Sequence, residues 1–169
     1  MDPELSRLLG DVIRRQTIAA LATLHEAAPF ASLIPYAAWS DARGDRLRFV
    51  THVSRLSAHT RDMLESPKVC LLITAQPQAD ILPQALPRVS IPALATFVDP
   101  RHPDHDPLAR AYLAKFPQAA GWFQLGDFSI VAFEPESARF IAGFARALNV
   151  SLAQLAAAVG PSDGAASTA

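Results

Sequence analysis

Apolar residues recur along this chain at two different periods. Near the N-terminus Leu5, Leu8, Leu9 and Val12 are spaced for one face of a helix, and Arg14 and Arg15 stand where cations meet the negative pole of its dipole. Residues 4–15 therefore read as α-helix. Short apolar runs punctuated by turn residues follow. Thr17–Leu24, 31–39, 46–52, 68–75 and 88–98 read as strands, and 128–133 with 138–144 as a closing strand pair joined by Glu134-Pro-Glu-Ser137. His25-Glu-Ala-Ala-Pro29 suits a hairpin turn, and Ser40–Asp45 a second turn. Pro35 cannot donate to a ladder, so it marks an edge or a bulge, and Pro92 bends or interrupts its strand. Helical spacing returns at residues 57–65 and from Asp106 or Pro107 to Phe116. Ser151 can cap a short alanine-rich helix, and Gly160–Ala169 reads as a disordered tail. Short antiparallel strands with helices at the margins argue for a small barrel, mainly β with some α.

At 169 residues, half of them apolar, the chain is most economically one domain, residues 1–150, followed by the helix and tail of 151–169. A formal charge of −1 argues against a nucleic-acid surface built on bulk positive charge. The single cysteine, Cys70, lies in the apolar run 69–73, which rules out an intramolecular disulfide and reads as a buried strand position. No apolar stretch has the length of a membrane span, and Met1-Asp-Pro-Glu4 lacks a basic segment leading into an apolar one, so the expected location is cytoplasmic.

The densest chemistry lies between residues 49 and 73. Thr51, His52, Ser54, Arg55, Ser57, His59 and Thr60 gather donors for an oxyanion, while Leu56, Met63 and Leu64 form a helical stripe. Ser57 is a plausible N-cap, which would aim free N–H groups and the helix dipole at the same place. That is a phosphate site in outline; an ordinary capped helix with solvated polar residues is the competing reading. His102 and His105 make a His-x-x-His pair with acidic neighbours, but without a third ligand the segment reads as a solvated loop. No P-loop, nucleophile elbow or dinucleotide fingerprint is present.

The order Phe49-x-Thr51, Ser57 with Met63, Pro67 and an apolar strand resembles the FMN-binding split barrels of the pyridoxamine 5'-phosphate oxidase superfamily. Leu56-Ser-Ala-His-Thr-Arg-Asp62, Gly126-Asp-Phe-Ser-Ile130 and Ala138–Arg146 are similar to its haem-utilisation, HugZ-like branch. The resemblance implies a six-stranded antiparallel Greek-key split β-barrel with flanking short helices, working as a homodimer with FMN, or alternatively haem, near the interface. It assigns Val50, Thr51, Ser57, His59 and Thr60 to the phosphate or ribityl chain, and Ser32 and Pro35 to the strand bordering the ring. It also places Arg88 near the flavin and Trp122 in a loop reaching across the dimer. Two departures stand out. The family's Ser-Arg-Lys at the helix start is Ser57-Ala58-His59 here, with Arg55 the nearest replacement, and the substrate-binding Arg-x-His is reduced to Arg146-Ala-Leu148. The resemblance therefore implies a flavin-dependent oxidoreductase acting on a small molecule other than pyridoxamine 5'-phosphate. A haem-binding or haem-degrading protein is the alternative, although no histidine follows His105 to serve as a C-terminal iron ligand. A cofactor-free, non-catalytic barrel is the third reading.

Overall fold

Asp2 starts the first helix: its carboxylate accepts the N–H groups of Glu4 and Leu5 at 2.8 and 3.3 Å, and proline occupies the first turn. The computed structural model describes residues 1–41, 43–44, 46–79 and 81–161, so residues 162–169 of the expected tail and positions 42 and 45 of the expected turn lie outside the described residues. Helix α1 is Pro3–Arg15. It is followed by β1 (Ile18–His25), β2 (Ala28–Pro35), β3 (Ala37–Ser40), β4 (Leu47–Ser54), α2 (Ala58–Glu65), β5 (Lys68–Thr74) and β6 (Arg88–Phe97). Then come α3 (His105–Lys115), β7 (Phe128–Pro135), β8 (Ala138–Gly143), β9 (Arg146–Val150) and α4 (Leu152–Val159). No described helix is long and apolar enough to cross a membrane.

The strands form one antiparallel sheet in the order β2-β1-β5-β6-β7-β4-β3, with β8 paired to β6 and β9 to β8. Its two edges, β2 and β3, are consecutive in the chain and separated only by Tyr36. The sheet therefore curls until its ends approach, and the Thr51 hydroxyl donates across the seam to the Pro35 carbonyl at 2.7 Å. This is a split barrel. Nine described strands stand where the apolar runs marked seven and the resemblance implied six: the run 31–39 is two strands broken at Tyr36, and β9 has too little alternation to be read from sequence. Pro92 interrupts nothing. It sits where β6 passes from β8 (residues 88–90) to β7 (residues 93–97), a position at which no ladder hydrogen bond is required of it, and its carbonyl accepts from Glu136.

Inside the barrel lies the main core, built on Tyr36, Phe49, Phe133, Phe140, Leu21, Leu71 and Ile73. α1 and α4 pack on it, and Leu155, Ala156, Ala158 and Val159 of α4 are buried with it. A smaller second core lies outside the sheet, where α3 and the 3-10 turn Pro117–Gln124 cover Ala37, Val50, Ile130 and Ala132.

Candidate functional site

Helix α2 is the link between two polar clusters, because its short buried face carries polar side chains. Thr60, Asp62 and Met63 are buried, whereas Leu56 and Leu64 of the expected stripe are 81% and 64% exposed. On the β4 side, the Thr60 hydroxyl donates to the Ser54 carbonyl at 2.8 Å. The Ser54 hydroxyl meets Asp127 at 2.8 Å and accepts the Leu56 N–H, tying the start of α2 to the segment before β7. Ser57 occupies the N-cap with extended backbone, but its hydroxyl makes no capping bond. His59 is half-buried, and burial lowers its proton affinity against the opposing pull of Asp62. Arg55 is exposed and is anchored through its main chain, its N–H donating to the Asp127 carbonyl.

On the β1 side the arrangement is tighter. The Asp62 side chain is 3% exposed and both oxygens are used: Oδ2 accepts from the Thr23 hydroxyl and Oδ1 from Nδ1 of His25, each at 2.7 Å. Burial pushes the Asp62 carboxyl up, but the bonds from His25 and Thr23 outweigh it and hold the group below the usual carboxylate range. Asp62 in turn raises the proton affinity of His25, first through the hydrogen bond and then through its charge. The turn between β1 and β2 is just Glu26 and Ala27, with φ of 49° and 63°. Both central residues at positive φ define the type I′ hairpin, here built without glycine or asparagine.

The sequence-derived residues are thus partly gathered and partly dispersed. Thr51, Pro35, Ser57 and Thr60 flank the seam and the α2 start, but the hydroxyl protons of Thr51 and Thr60 are already given to carbonyls. Ser32 faces the barrel interior opposite Leu21, with its Oγ buried and without a partner. Val50 is enclosed by the second core. Arg88 donates to the carbonyls of Gln84 and Leu86 at 3.2 and 3.1 Å, holding the loop that precedes it. Trp122 is 49% exposed on the 3-10 turn, while its neighbour Phe123 stacks on His52 at 3.9 Å. Cys70 is half-exposed, on the outer face of β5, because strand alternation turns Val69 and Leu71 inward instead. Thr23 and His25 lay in no motif in the sequence, and Asp62 closed one without being marked as a site residue. A histidine in a hairpin turn and an aspartate 37 residues later meet only through the packing of α2 on β1.

The outer face of β1, β2 and β5 is apolar and uncovered. Ile18, Leu24, Leu33 and Leu72 are 51%, 42%, 65% and 38% exposed, with Ala20 between Leu33 and Leu72 in register. Patches of this kind on a barrel wall are what association surfaces are made of.

A curled antiparallel sheet with this edge-to-edge seam defines the chain as a split barrel. Residues 6–142 match the pyridoxamine 5'-phosphate oxidase family, and the chain belongs to it. Over 123 residues it is 34% identical to the non-canonical heme oxygenase HOZ of Arabidopsis thaliana chloroplasts, covering 73% of this chain and 35% of that one. It thus spans about a third of that relative's length. The fold is shared with a heme binding protein from Mycobacterium smegmatis, with a TM-score of 0.79, 24% identity, and coverage of 93% of this chain and 62% of the other. It is shared too with ChuZ of Campylobacter jejuni, with a TM-score of 0.73, 18% identity, and coverage of 89% and 61%.

Proposed function

We propose that this protein binds haem, as a homodimer joined through the outer face of β1, β2 and β5. The observation that carries the reading is the start of α2. No lysine or arginine stands at its first two helical positions, Ala58 and His59, burial disfavours the charged form of His59, and the hydroxyls of Thr51 and Thr60 are spent on carbonyls. A flavin phosphate is a dianion and wants fixed, charge-assisted donors. Haem presents a flat apolar ring and two singly charged carboxylates, which exposed arginines such as Arg55 and Arg61 suit without further cradle. The Arabidopsis relative, a heme oxygenase by description, supports the reading from a second side. Bound haem would supply redox-active iron, and the cations at α2 would fix its orientation by pairing with its carboxylates.

FMN is the second reading, favoured by the Ser57 hydroxyl, which is left unspent at a helix start. One titration separates the two. Apoprotein mixed with hemin should develop a Soret band saturating at one haem per protomer, while FMN and riboflavin bind weakly and equally. FMN binding much more tightly than riboflavin, with no Soret band, would return the site to the flavin. In neither case should pyridoxamine 5'-phosphate be oxidised, because the stretch that would meet its phosphate, Ile141 to Leu148, offers Arg146 among apolar side chains; steady formation of pyridoxal 5'-phosphate absorbance would refute this.

A further inference from the structure

A histidine whose Nδ1 is held by a buried carboxylate has its other nitrogen aimed outward, and in this chain that histidine is His25. A carboxylate only accepts, so the 2.7 Å contact requires Nδ1 of His25 to donate, which leaves Nε2 as the coordinating atom. The ring is fixed on further sides. Asp62 is itself pinned by Thr23, Phe30 lies 5.4 Å from the imidazole centroid at 42°, and the backbone enters a turn with two consecutive non-glycine residues at positive φ. With the side chain 41% exposed, Nε2 is within reach of a large ligand.

The remaining histidines are occupied otherwise. His52 is 7% exposed under Phe123, Nδ1 of His102 accepts the Asp104 N–H, and His105 pairs with Asp106. His59 is half-buried. No group of three His, Cys, Asp or Glu side chains able to hold a bare metal ion exists among the described residues. A single oriented imidazole is too little for a free divalent cation, but it is what an iron already carrying four porphyrin nitrogens requires.

We propose that His25 is the axial ligand of haem iron through Nε2, with Asp62 and Thr23 as the residues that position it. The assignment deepens the haem reading and rests on it.

The test is the spectrum of the full chain loaded with hemin. Wild-type protein should give a histidine-ligated ferric spectrum and, when reduced, an iron–histidine stretching band in resonance Raman. His25→Ala should lose that band and bind haem about tenfold or more weakly. His25→Gly should regain the ligated spectrum when free imidazole is added. Asp62→Asn should keep the ligand but lower the stretching frequency, because an amide pulls less on the Nδ1 proton than a carboxylate; circular dichroism confirms that each variant is folded. A His25→Ala complex indistinguishable from wild type would overturn the assignment and leave haem binding intact. Wild-type protein that takes up no hemin would overturn both.

Discussion

His52 is a base buried where it cannot easily be charged. Its ring stacks on Phe123, with Phe128 5.0 Å and Tyr112 6.0 Å away, and its Nδ1 has no hydrogen-bond partner. Burial, reinforced by the positive charge of His105, pushes its pKa down to about 4 from the ordinary 6.5. The unfolded chain therefore takes up a proton below pH 6.5 that the folded chain refuses until about 4. Stability due to this residue is complete above pH 6.5 and drains away as pH falls through that window, by about 3 kcal/mol in all. Urea midpoints measured from pH 7 to pH 4 should fall less steeply for His52→Phe, which keeps the stack without the titration. Parallel profiles for the two proteins would mean that acid acts elsewhere.

At the scale of elements, a glycine lets the first helix lie close against the last. A Cβ built on Gly10 would lie 2.1 Å from the Ala158 carbonyl oxygen, and Arg14 one turn later donates to the carbonyls of Ala158 and Val159 at 2.8 Å. Those carbonyls close α4 and have no partner within it, so Arg14 caps the C-terminus of one helix from the flank of another. Gly10→Ala should cost about 1–3 kcal/mol despite the better helix propensity of alanine, since the atom it meets is backbone and α4 must shift. A thermal midpoint equal to or above wild type would show that α4 yields freely. Helices α1 and α4 are thus locked together on the barrel.

For the molecule as a whole, the barrel leaves one wall unfinished. Its inner face is closed by α1 and α4, and the second core covers β3, β4 and β7, but nothing described covers the outer side of β1, β2 and β5. Exposed leucines and isoleucine lined up across three strands are costly to leave in water, at roughly 25 cal/mol per Å². Light scattering should therefore report a dimer, and Leu33→Asp, at the most exposed of these strand positions, should shift it toward monomer while leaving the far-ultraviolet dichroism unchanged. A wild-type monomer at micromolar concentration would mean that this wall meets some other partner.

What the sequence determined by itself is what local periodicity encodes. Helix α1, the strand-turn-helix around Thr51 and Ser57, the helix cap at Ser151 and the existence of β1 and β5 as strands follow from the sequence alone, because each is set by neighbours within a few residues. The order of motifs carried the family as well. Only the tertiary structure decided the rest. Alternation says that a strand has two faces but not which face enters the barrel, so Cys70, expected as a buried strand position, stands on the outer wall instead. The burial of α2 depends on what it packs against, and β1 selects Thr60, Asp62 and Met63 over Leu56 and Leu64. The same packing turns His25, a residue of a plain hairpin, into an imidazole oriented by a buried aspartate. Contacts across 37 positions leave no trace in the spacing of a single sequence, because they are fixed by the curl of the sheet and not by the neighbours of either residue.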